Sequence, residues 1–286
     1  MIPKLRHLCI AALWVMIACG LGVASPDIDI LPKNPRPGEV LFITLRPEAQ
    51  LERASCSWRG RSYQFLLNSD VYQLVLPIAA STRSGGYHAT VHWKYAGGSG
   101  GQTSVSVQIH PRRFGVQKLR LSRRQEQRYS SPDTAREYRL IGAALDTVSP
   151  ERLWKGDFRM PVSGRITTQF GLQRFVNGHF DYRHRGVDIA AKHGTPVRAA
   201  AAGVVSLADD SFQLHGKTIV IDHGQGTSSI YLHLSQIDVS PGNTISQGQI
   251  IGRVGATGIA TGPHLHYAVY AYHEAVDPLF WLHLPE

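Results

Sequence analysis

The residues best able to carry chemistry are histidines in the last third of the chain. Ten of the 14 histidines fall within residues 179–283. Among them, His184-Arg-Gly-Val-Asp188 places an imidazole and a carboxylate four residues apart, and His264-Leu-His266 places two imidazoles two apart. Side chains at positions i and i+2 of a strand point to one face, so a strand here would present His264 and His266 to the same space.

A third pattern, Tyr231-Leu-His233-Leu, alternates in the same way and predicts that Tyr231 and His233 share a face. In a chain of this composition, a His-x-His pair is expected by chance about 0.7 times and a His-x-Gly-x-Asp match roughly 0.06 times. Any one of these histidines alone would be interpreted as a packing or surface residue. Their joint occurrence favours a functional cluster.

Two imidazoles and one carboxylate suit catalytic zinc, which takes three N or O ligands and keeps a fourth position for water. Zinc lowers the pKa of bound water from 15.7 to about 7. The sequence offers two further imidazoles, which could take the proton of the water and stabilise a developing oxyanion. The pattern therefore predicts a hydrolase that uses zinc-bound hydroxide. No Ser or Cys lies in a sequence motif typical of a catalytic nucleophile, and Cys56 is far from the histidines in sequence.

Short alternating runs between turn residues must position these side chains. After about residue 154 such runs predict an antiparallel β-sheet without a helix of ordinary length; they cover residues 165–170, 187–190, 197–206, 218–222, 229–234, 244–254 and 264–270. Nearer the N-terminus, five runs predict a small antiparallel β-sandwich: residues 39–45, 63–67, 71–76, 87–95 and 103–109. The fold class is therefore all-β.

A basic segment separates the two β regions. Residues 112–139 hold nine Lys or Arg and three acids, a net of 9 − 3 = +6 within a chain of formal charge +9. It is interpreted either as a solvated connector or as a patch that holds a polyanion. Ser131 as cap and Pro132 in the first turn predict a helix packed between two β domains, with one apolar face formed by Tyr138, Ile141, Leu145 and Val148.

The N-terminus has the pattern of an export signal. Lys4 and Arg6 precede an apolar run of sixteen residues, 8–23, which is shorter than the ~20 that a spanning helix needs. An uncleaved anchor and a lipid on Cys19 remain alternatives. We therefore expect an exported protein of the periplasm or cell envelope, with membrane contact only if this segment is kept or Cys19 is lipidated.

Composition narrows the class of protein further. Apolar residues make up 43% of the chain and charged residues 18%, which disfavours disorder and long coiled coils. The positive charge fits an anionic polymer or surface as partner. A nucleic-acid role is not expected, because the basic segment lacks interleaved aromatic stacking residues.

From about residue 154 to residue 278 the sequence resembles the lysostaphin-type zinc peptidases, which cut peptide bonds in bacterial peptidoglycan. The resemblance rests on an ordered series of motifs: Phe170-Gly171, His184-Arg-Gly-Val-Asp188, Gly194-Thr-Pro-Val197, Asp222-His-Gly224, Tyr231-Leu-His233-Leu-Ser235, Gly248-Gln-Ile-Ile-Gly252, Gly255-Ala-Thr-Gly258 and Thr261-Gly-Pro-His264-Leu-His266. His215-Gly-Lys217 departs from the family, which more often shows an aromatic residue, Gly and Asn there.

The resemblance implies roles for individual residues. It implies that His184, Asp188 and His266 bind zinc, that His233 and His264 form the catalytic pair, and that Tyr231 lines the groove. It also implies peptidoglycan as substrate, and it leaves a regulatory protein partner open.

The expected organisation is a signal peptide (1–24), a β-sandwich accessory domain (25–110), a basic connector with one helix (111–153) and a zinc metallopeptidase domain (154–286). The expected function is hydrolysis of peptidoglycan cross-links or stem peptides. The alternative is a non-catalytic activator of a cell-wall amidase, which predicts at least one missing zinc ligand. A lipoyl- or biotinyl-type carrier is disfavoured, because residues 257–263 contain no lysine.

Overall fold

The computed structural model describes residues 25–120, 123, 126, 127 and 131–285. The predicted signal peptide, with its alternatives of a retained anchor or a lipid on Cys19, lies outside these residues. Within the described part of the chain, none of the helices is long and apolar enough to cross a membrane.

The N-terminal region forms two antiparallel four-stranded sheets. In order across each sheet, the first contains β1 (Asp27–Leu31), β2 (Val40–Arg46), β6 (Val71–Pro77) and β5 (Leu66–Asn68), and the second contains β4 (Arg61–Gln64), β3 (Leu51–Trp58), β7 (Gly85–Tyr95) and β8 (Gly100–Ile109). Alternate side chains of β2 and β7 enter one apolar core shared by both sheets, which includes Ile43, Leu45, Val91 and Trp93. The predicted β-sandwich is confirmed.

The connector contributes a strand that the sequence did not predict. Strand β9 (Val116–Leu119) pairs in parallel with β11 (Gln173–Val176), which pairs antiparallel with β12 (His179–Arg183). A three-stranded sheet therefore ties the connector to the region of the histidines.

The predicted helix is α1 (Pro132–Leu145), capped by Ser131, whose hydroxyl oxygen accepts a hydrogen bond from the Thr134 N–H at 3.2 Å. Ile141 and Leu145 are buried against the C-terminal sheet, in a cluster with Val220, Ile230 and Ala268. We expected α1 to pack between two β domains, and this is wrong. Its buried apolar side chains pack against the C-terminal sheet.

The predicted apolar face of α1 is also partly wrong. Tyr138 and Val148 are 43% and 39% exposed, and α1 ends before Val148 is reached. Among the buried side chains of α1 is instead that of Glu137, whose contacts are described below.

The C-terminal region is built on a ten-stranded sheet with antiparallel pairing. Its main order is β10 (Arg165–Thr168), β13 (Val187–Ala190), β20 (His264–Ala271), β17 (Thr227–Ile237), β16 (Lys217–Gly224), β15 (Gly203–Asp209) and β18 (Thr244–Ile245). Off this path, β14 (Pro196–Arg198) pairs with β19 (Ile250–Val254), β19 pairs with β17, and β21 (Glu274–Val276) pairs with β20. The all-β fold class with a C-terminal antiparallel sheet is confirmed.

The sheet buries both of its faces. Leu265, Tyr267 and Val269 of β20 enter the large core, whereas Ala268 and Tyr270 lie on the other face with α1. Successive side chains of a strand alternate between its two faces. Residues of β20 that are separated from Ala268 by an even number of positions therefore point towards the side of α1. His264 and His266 are two such residues.

Candidate metal centre and active site

Two neighbouring strands and the turn before one of them bring the metal-ligand candidates together. Strands β13 and β20 are antiparallel, and their register places Asp188 opposite His266. His184 stands four residues before Asp188 and is buried, with 1% of its surface exposed. The Oδ1 atom of Asp188 lies 3.0 Å from His184 Nε2 and 2.8 Å from His266 Nδ1, and the two ring nitrogens are 3.1 Å apart.

The donor set fits a metal ion. His184 Nδ1 donates a hydrogen bond to the Gln169 carbonyl at 2.9 Å. In the neutral ring, Nε2 therefore carries a lone pair, and this atom faces the Asp188 carboxylate. Two acceptors at 3.0 Å repel each other unless a cation or a further proton lies between them. Zinc bonds of 2.0–2.2 Å in a tetrahedron would separate ligand atoms by about 3.3–3.6 Å, a few tenths of an ångström more than the distances observed.

The charge state of Asp188 also suits a ligand. Burial alone would raise the pKa of its carboxyl group, but hydrogen bonds and charge from His184 and His266 outweigh burial and lower the pKa. Asp188 is therefore ionised near neutral pH, as a metal-binding carboxylate must be.

Arg174 of β11 supports this carboxylate, although it belongs to none of the motifs named above. Its Nη2 lies 3.3 Å from Asp188 Oδ2, while Nη1 donates to the Tyr182 hydroxyl at 2.7 Å and Nε to Gln117 Oε1 at 2.8 Å. Arg174 therefore connects Asp188 to strands β9 and β12. No local pattern could have revealed it, because the parallel pairing of β9 with β11 joins residues about 57 positions apart.

The two further imidazoles lie beside the candidate metal ligands. The ring of His233 is 4.9 Å from that of His264 and 6.4 Å from that of His266, measured between centroids. His233 Nδ1 donates to the Thr257 carbonyl and His264 Nδ1 to the Gly262 carbonyl, each at 2.9 Å. In both neutral rings Nε2 is therefore the atom left to exchange a proton.

A β-bulge points His233 towards the site. Between Tyr231 and Leu234, β17 has one residue more than β16 has between Ile219 and Lys217. His233 takes up this residue with a φ of 65°, a left-handed conformation that is uncommon outside glycine. Burial, followed by the nearby His266 and His264, lowers the pKa of His233 to about 3, so the ring is neutral.

The expected groove position of Tyr231 is wrong. Tyr231 is fully buried in the large core, and its hydroxyl accepts a hydrogen bond from the Ala200 N–H at 2.9 Å. The bulge explains the difference, because the extra residue changes the alternation between Tyr231 and His233. The pair cannot then share a face as i and i+2 residues of a regular strand would.

The candidate ligands and the two imidazoles line one groove of about 580 Å³. The connector forms part of its wall through Gln117, Leu119, Arg120, Tyr138, Ile141, Gly142 and Leu145. Arg120, Arg174 and Arg185 also line it, and Asp188 is the one carboxylate in the described lining. The groove is therefore basic and suited to ligands that carry negative charge.

Other histidines have different positions. His223 is fully buried away from the groove: its Nδ1 donates to the Ala202 carbonyl at 2.7 Å, and its Nε2 lies 2.8 Å from Ser229 Oγ. These hydrogen bonds give His223 a structural role. His215 and His273, in contrast, line the groove.

Comparison with known proteins supports the interpretation of these motifs. Residues 182–278 match the description "Peptidase family M23". This match covers about a third of the chain and includes most of the C-terminal sheet. The five clustered residues lie within the M23 match, whereas Gln117, Glu137 and Arg174 precede it.

Curated relatives share this segment. The "DD-carboxypeptidase/endopeptidase Mpg" of Neisseria meningitidis is 39% identical over 127 residues, which cover 44% of this chain and 29% of that protein. The "Peptidoglycan DD-endopeptidase ShyC" of Vibrio cholerae is 41% identical over 113 residues, covering 39% and 24%. The chain thus spans less than a third of the length of these two relatives.

A solved structure extends the likeness beyond the M23 match. A crystal structure from Pseudomonas aeruginosa, described as a candidate peptidase M23, superposes with a TM-score of 0.63 and is 29% identical. The superposition covers 87% of this chain and 95% of that one, so it includes much of the region before residue 182.

Proposed function

We propose that this chain is a zinc-dependent endopeptidase that hydrolyses peptide bonds in peptidoglycan, in its cross-links or stem peptides. The observation that carries the proposal is the convergence of two imidazole nitrogens and one carboxylate oxygen within 4.8 Å of one another, next to two further imidazoles in the same groove. The names of the Neisseria and Vibrio relatives support the substrate class.

In this proposal His184 Nε2, Asp188 Oδ1 and His266 Nδ1 hold the metal. When bound, zinc lowers the pKa of a coordinated water to about 7 and polarises a carbonyl oxygen. Burial, despite the hydrogen bond and charge of Asp188, lowers the pKa of His266 to about 4, which keeps its ring neutral and able to bind a cation.

His233 and His264 move protons at the same site. Each ring is oriented by a hydrogen bond from Nδ1 to a main-chain carbonyl, which leaves Nε2 to accept the proton of an attacking water or to donate one to the scissile oxygen or leaving amine. Water is the nucleophile. Cys56 is buried in the N-terminal sandwich, where burial raises the pKa of its thiol to about 12.

The remaining parts of the proposal follow from this function. Peptidoglycan lies outside the cytoplasm, which agrees with the export signal expected in residues 1–24. The basic groove suits a polymer whose peptides carry carboxylates. We further propose the division into an accessory β-sandwich (25–110), a connector (111–153) and a peptidase domain (154–286). The non-catalytic alternative requires a missing ligand, and none of the three candidates is missing.

Metal analysis and digestion of purified sacculi test the proposal together. The wild-type chain should contain one zinc per molecule and release peptide fragments, identified by mass spectrometry. His184→Ala should lose the metal and the activity. His233→Ala and His264→Ala should keep the metal but lose at least 100-fold in rate, the usual contribution of a general acid or base.

His193→Ala is the matched control, since His193 is exposed and outside the groove lining. It should retain both zinc and activity. Full zinc occupancy in His184→Ala would disprove the ligand set, and unchanged hydrolysis in both His233→Ala and His264→Ala would assign the proton transfers to other residues.

A further inference from the structure

A buried carboxylate from the connector reaches the wall of the groove. Glu137 of α1 is 1% exposed. Its carboxylate accepts hydrogen bonds from the main-chain N–H groups of Gln213, Leu214 and His215, those of Leu214 at 3.0 Å and His215 at 3.1 Å, and it lies 2.8 Å from the ring Nδ1 of His215. One side chain of α1 thus fixes both the main chain and the ring of the loop before β16.

The charge of Glu137 determines how His215 is held. Burial raises the pKa of Glu137, but the hydrogen bonds from His215, Leu214 and Gln213 together outweigh burial and lower it. An ionised carboxylate only accepts, so Nδ1 of His215 carries the proton between them. In the neutral ring, Nε2 is then a hydrogen-bond acceptor with a fixed direction.

His215 also stands next to the proposed catalytic pair. Its main-chain carbonyl accepts the His233 N–H at 3.1 Å, and its ring lines the groove. The ring packs edge-on against Tyr138 of α1, with centroids 5.1 Å apart. Within the described chain, the hydrogen bonds of His215 use Nδ1 and the main chain, so Nε2 is the polar atom left to meet a ligand.

We propose that His215 is a substrate-binding residue of the groove, whose Nε2 accepts a hydrogen bond from an N–H group of the substrate peptide. Glu137 is the positioning residue that orients its ring. The inference rests on the proposed endopeptidase function and concerns a position where the sequence departs from the M23 pattern. It also gives the connector a part in substrate binding, because Glu137 lies before the M23 match.

Affinity for one purified muropeptide tests the inference. His215→Phe keeps an aromatic ring against Tyr138 but removes both nitrogens. Loss of one hydrogen bond should raise the KM for hydrolysis and the Kd by about three- to tenfold, with little change in kcat. The Kd is measured calorimetrically in a His233→Ala background, where the peptide is expected to stay intact. Zinc content and melting temperature should match those of the parent, and His193→Phe should change neither constant.

The role of Glu137 requires a separate readout. Glu137→Gln should raise the Kd for the muropeptide, as His215→Phe does. It should also lower the population of the Nδ1–H tautomer of His215, which ¹⁵N NMR of the ring measures. A purely structural residue would change the melting temperature but not the tautomer of the folded protein. An unchanged tautomer would therefore overturn the positioning role.

The outcomes separate this inference from the proposed function. Normal hydrolysis by the wild-type chain with unchanged KM and Kd in His215→Phe overturns the inference alone. If His215→Phe does not fold, His215→Ala provides the same comparison. Failure of the wild-type chain to cleave sacculi overturns the proposed function, while the Kd still tests His215. Normal cleavage of sacculi by the wild-type chain, with no muropeptide binding in the His233→Ala background, also overturns the inference alone.

Discussion

Asp188 uses both of its carboxylate oxygens. Oδ1 faces the two imidazoles of the candidate metal site, and Oδ2 faces the Arg174 guanidinium at 3.3 Å. Residues that hold a metal ligand in place commonly affect metal affinity or activity by 10- to 100-fold. We therefore expect Arg174, with its partners Tyr182 and Gln117, to affect metal binding at Asp188. Of these three residues, only Tyr182 lies within the M23 match.

His223 supports the fold at the scale of one residue and gives it a pH dependence. Burial lowers its pKa to about 4 from 6.5. Because the folded pKa lies below the unfolded one, the unfolded state binds the extra proton, and stability should fall as the pH decreases from about 6.5 towards 4. The full difference corresponds to about 3 kcal/mol for this residue.

Urea unfolding at pH 7.5 and pH 4.5 measures this effect. His223→Gln should be less stable than the wild type at pH 7.5, because it loses part of the buried hydrogen bonding, but it should lose less stability on acidification. Comparing the two chains cancels the contributions of the other titrating groups. Equal losses of stability in both chains would contradict the assignment of a neutral, buried His223.

At the scale of elements, the close approach of β20 to the turn before β13 brings the three candidate metal ligands together. A Cβ added to Gly186 would lie 2.3 Å from the Tyr267 carbonyl oxygen and 2.9 Å from His266 Nε2. The glycine in the His184-Arg-Gly-Val-Asp188 motif is therefore required by packing. It allows His184 and Asp188 to lie next to β20.

Gly186→Ala should push these segments apart and lower zinc affinity by about 10- to 100-fold, as changes that misplace ligands do. Its melting temperature should also fall, because the contact is with main-chain atoms that cannot move aside. Zinc titration against a competing chelator provides the measurement. Gly97→Ala is the control, since nothing lies within 4 Å of a Cβ there; equal zinc affinity in both variants would show that the close approach is unimportant.

The bulge in β17 is the second decisive feature at this scale. It turns His233 into the groove and leaves Tyr231 in the core. A regular strand would have placed both on one face. The proposed proton-transfer residue thus depends on an irregularity of the strand rather than on its period.

At the scale of the whole molecule, the β-sandwich and the C-terminal sheet share a core. Val40 and Val75 of the sandwich belong to the same apolar cluster as Trp281, and the ring of Phe42 lies 5.9 Å from that of Trp281. Asp277 joins the two regions through polar contacts, since its N–H donates to the Gly38 carbonyl at 2.6 Å and its carboxylate pairs with Arg112 of the connector.

The Arg112–Asp277 ion pair should be important for stability. The Asp277 side chain is 8% exposed and that of Arg112 25%. Arg112→Met leaves a nearly buried carboxylate without its cation and should cost about 3 kcal/mol in the free energy of unfolding. Urea denaturation checks this value.

A second variant isolates the charge. Arg112→Met with Asp277→Asn removes both charges but keeps an oxygen to accept the Leu279 N–H, which Asp277 Oδ1 accepts at 2.9 Å. It should recover a substantial part of the lost stability. If the double variant is as unstable as Arg112→Met, the loss does not come from an unpaired carboxylate.

The sequence by itself determined the β-rich character, the capped start of α1 and the residue types of the candidate site. These properties are local. Strand alternation places Leu265 and Tyr267 in the core and leaves His264 and His266 on the opposite face. The five-residue motif His184-Arg-Gly-Val-Asp188, with its glycine, likewise indicates a close turn before β13.

The tertiary structure alone decided the bulge at His233, the support of Asp188 by Arg174, and the attachment of Glu137 to the loop that contains His215. Each depends on contacts between residues far apart in sequence, such as the 78 positions between Glu137 and His215. Helical periodicity could not indicate a charged residue among the buried positions of α1, because burial of a carboxylate becomes favourable only when distant N–H groups satisfy it. That satisfaction exists only in the folded chain.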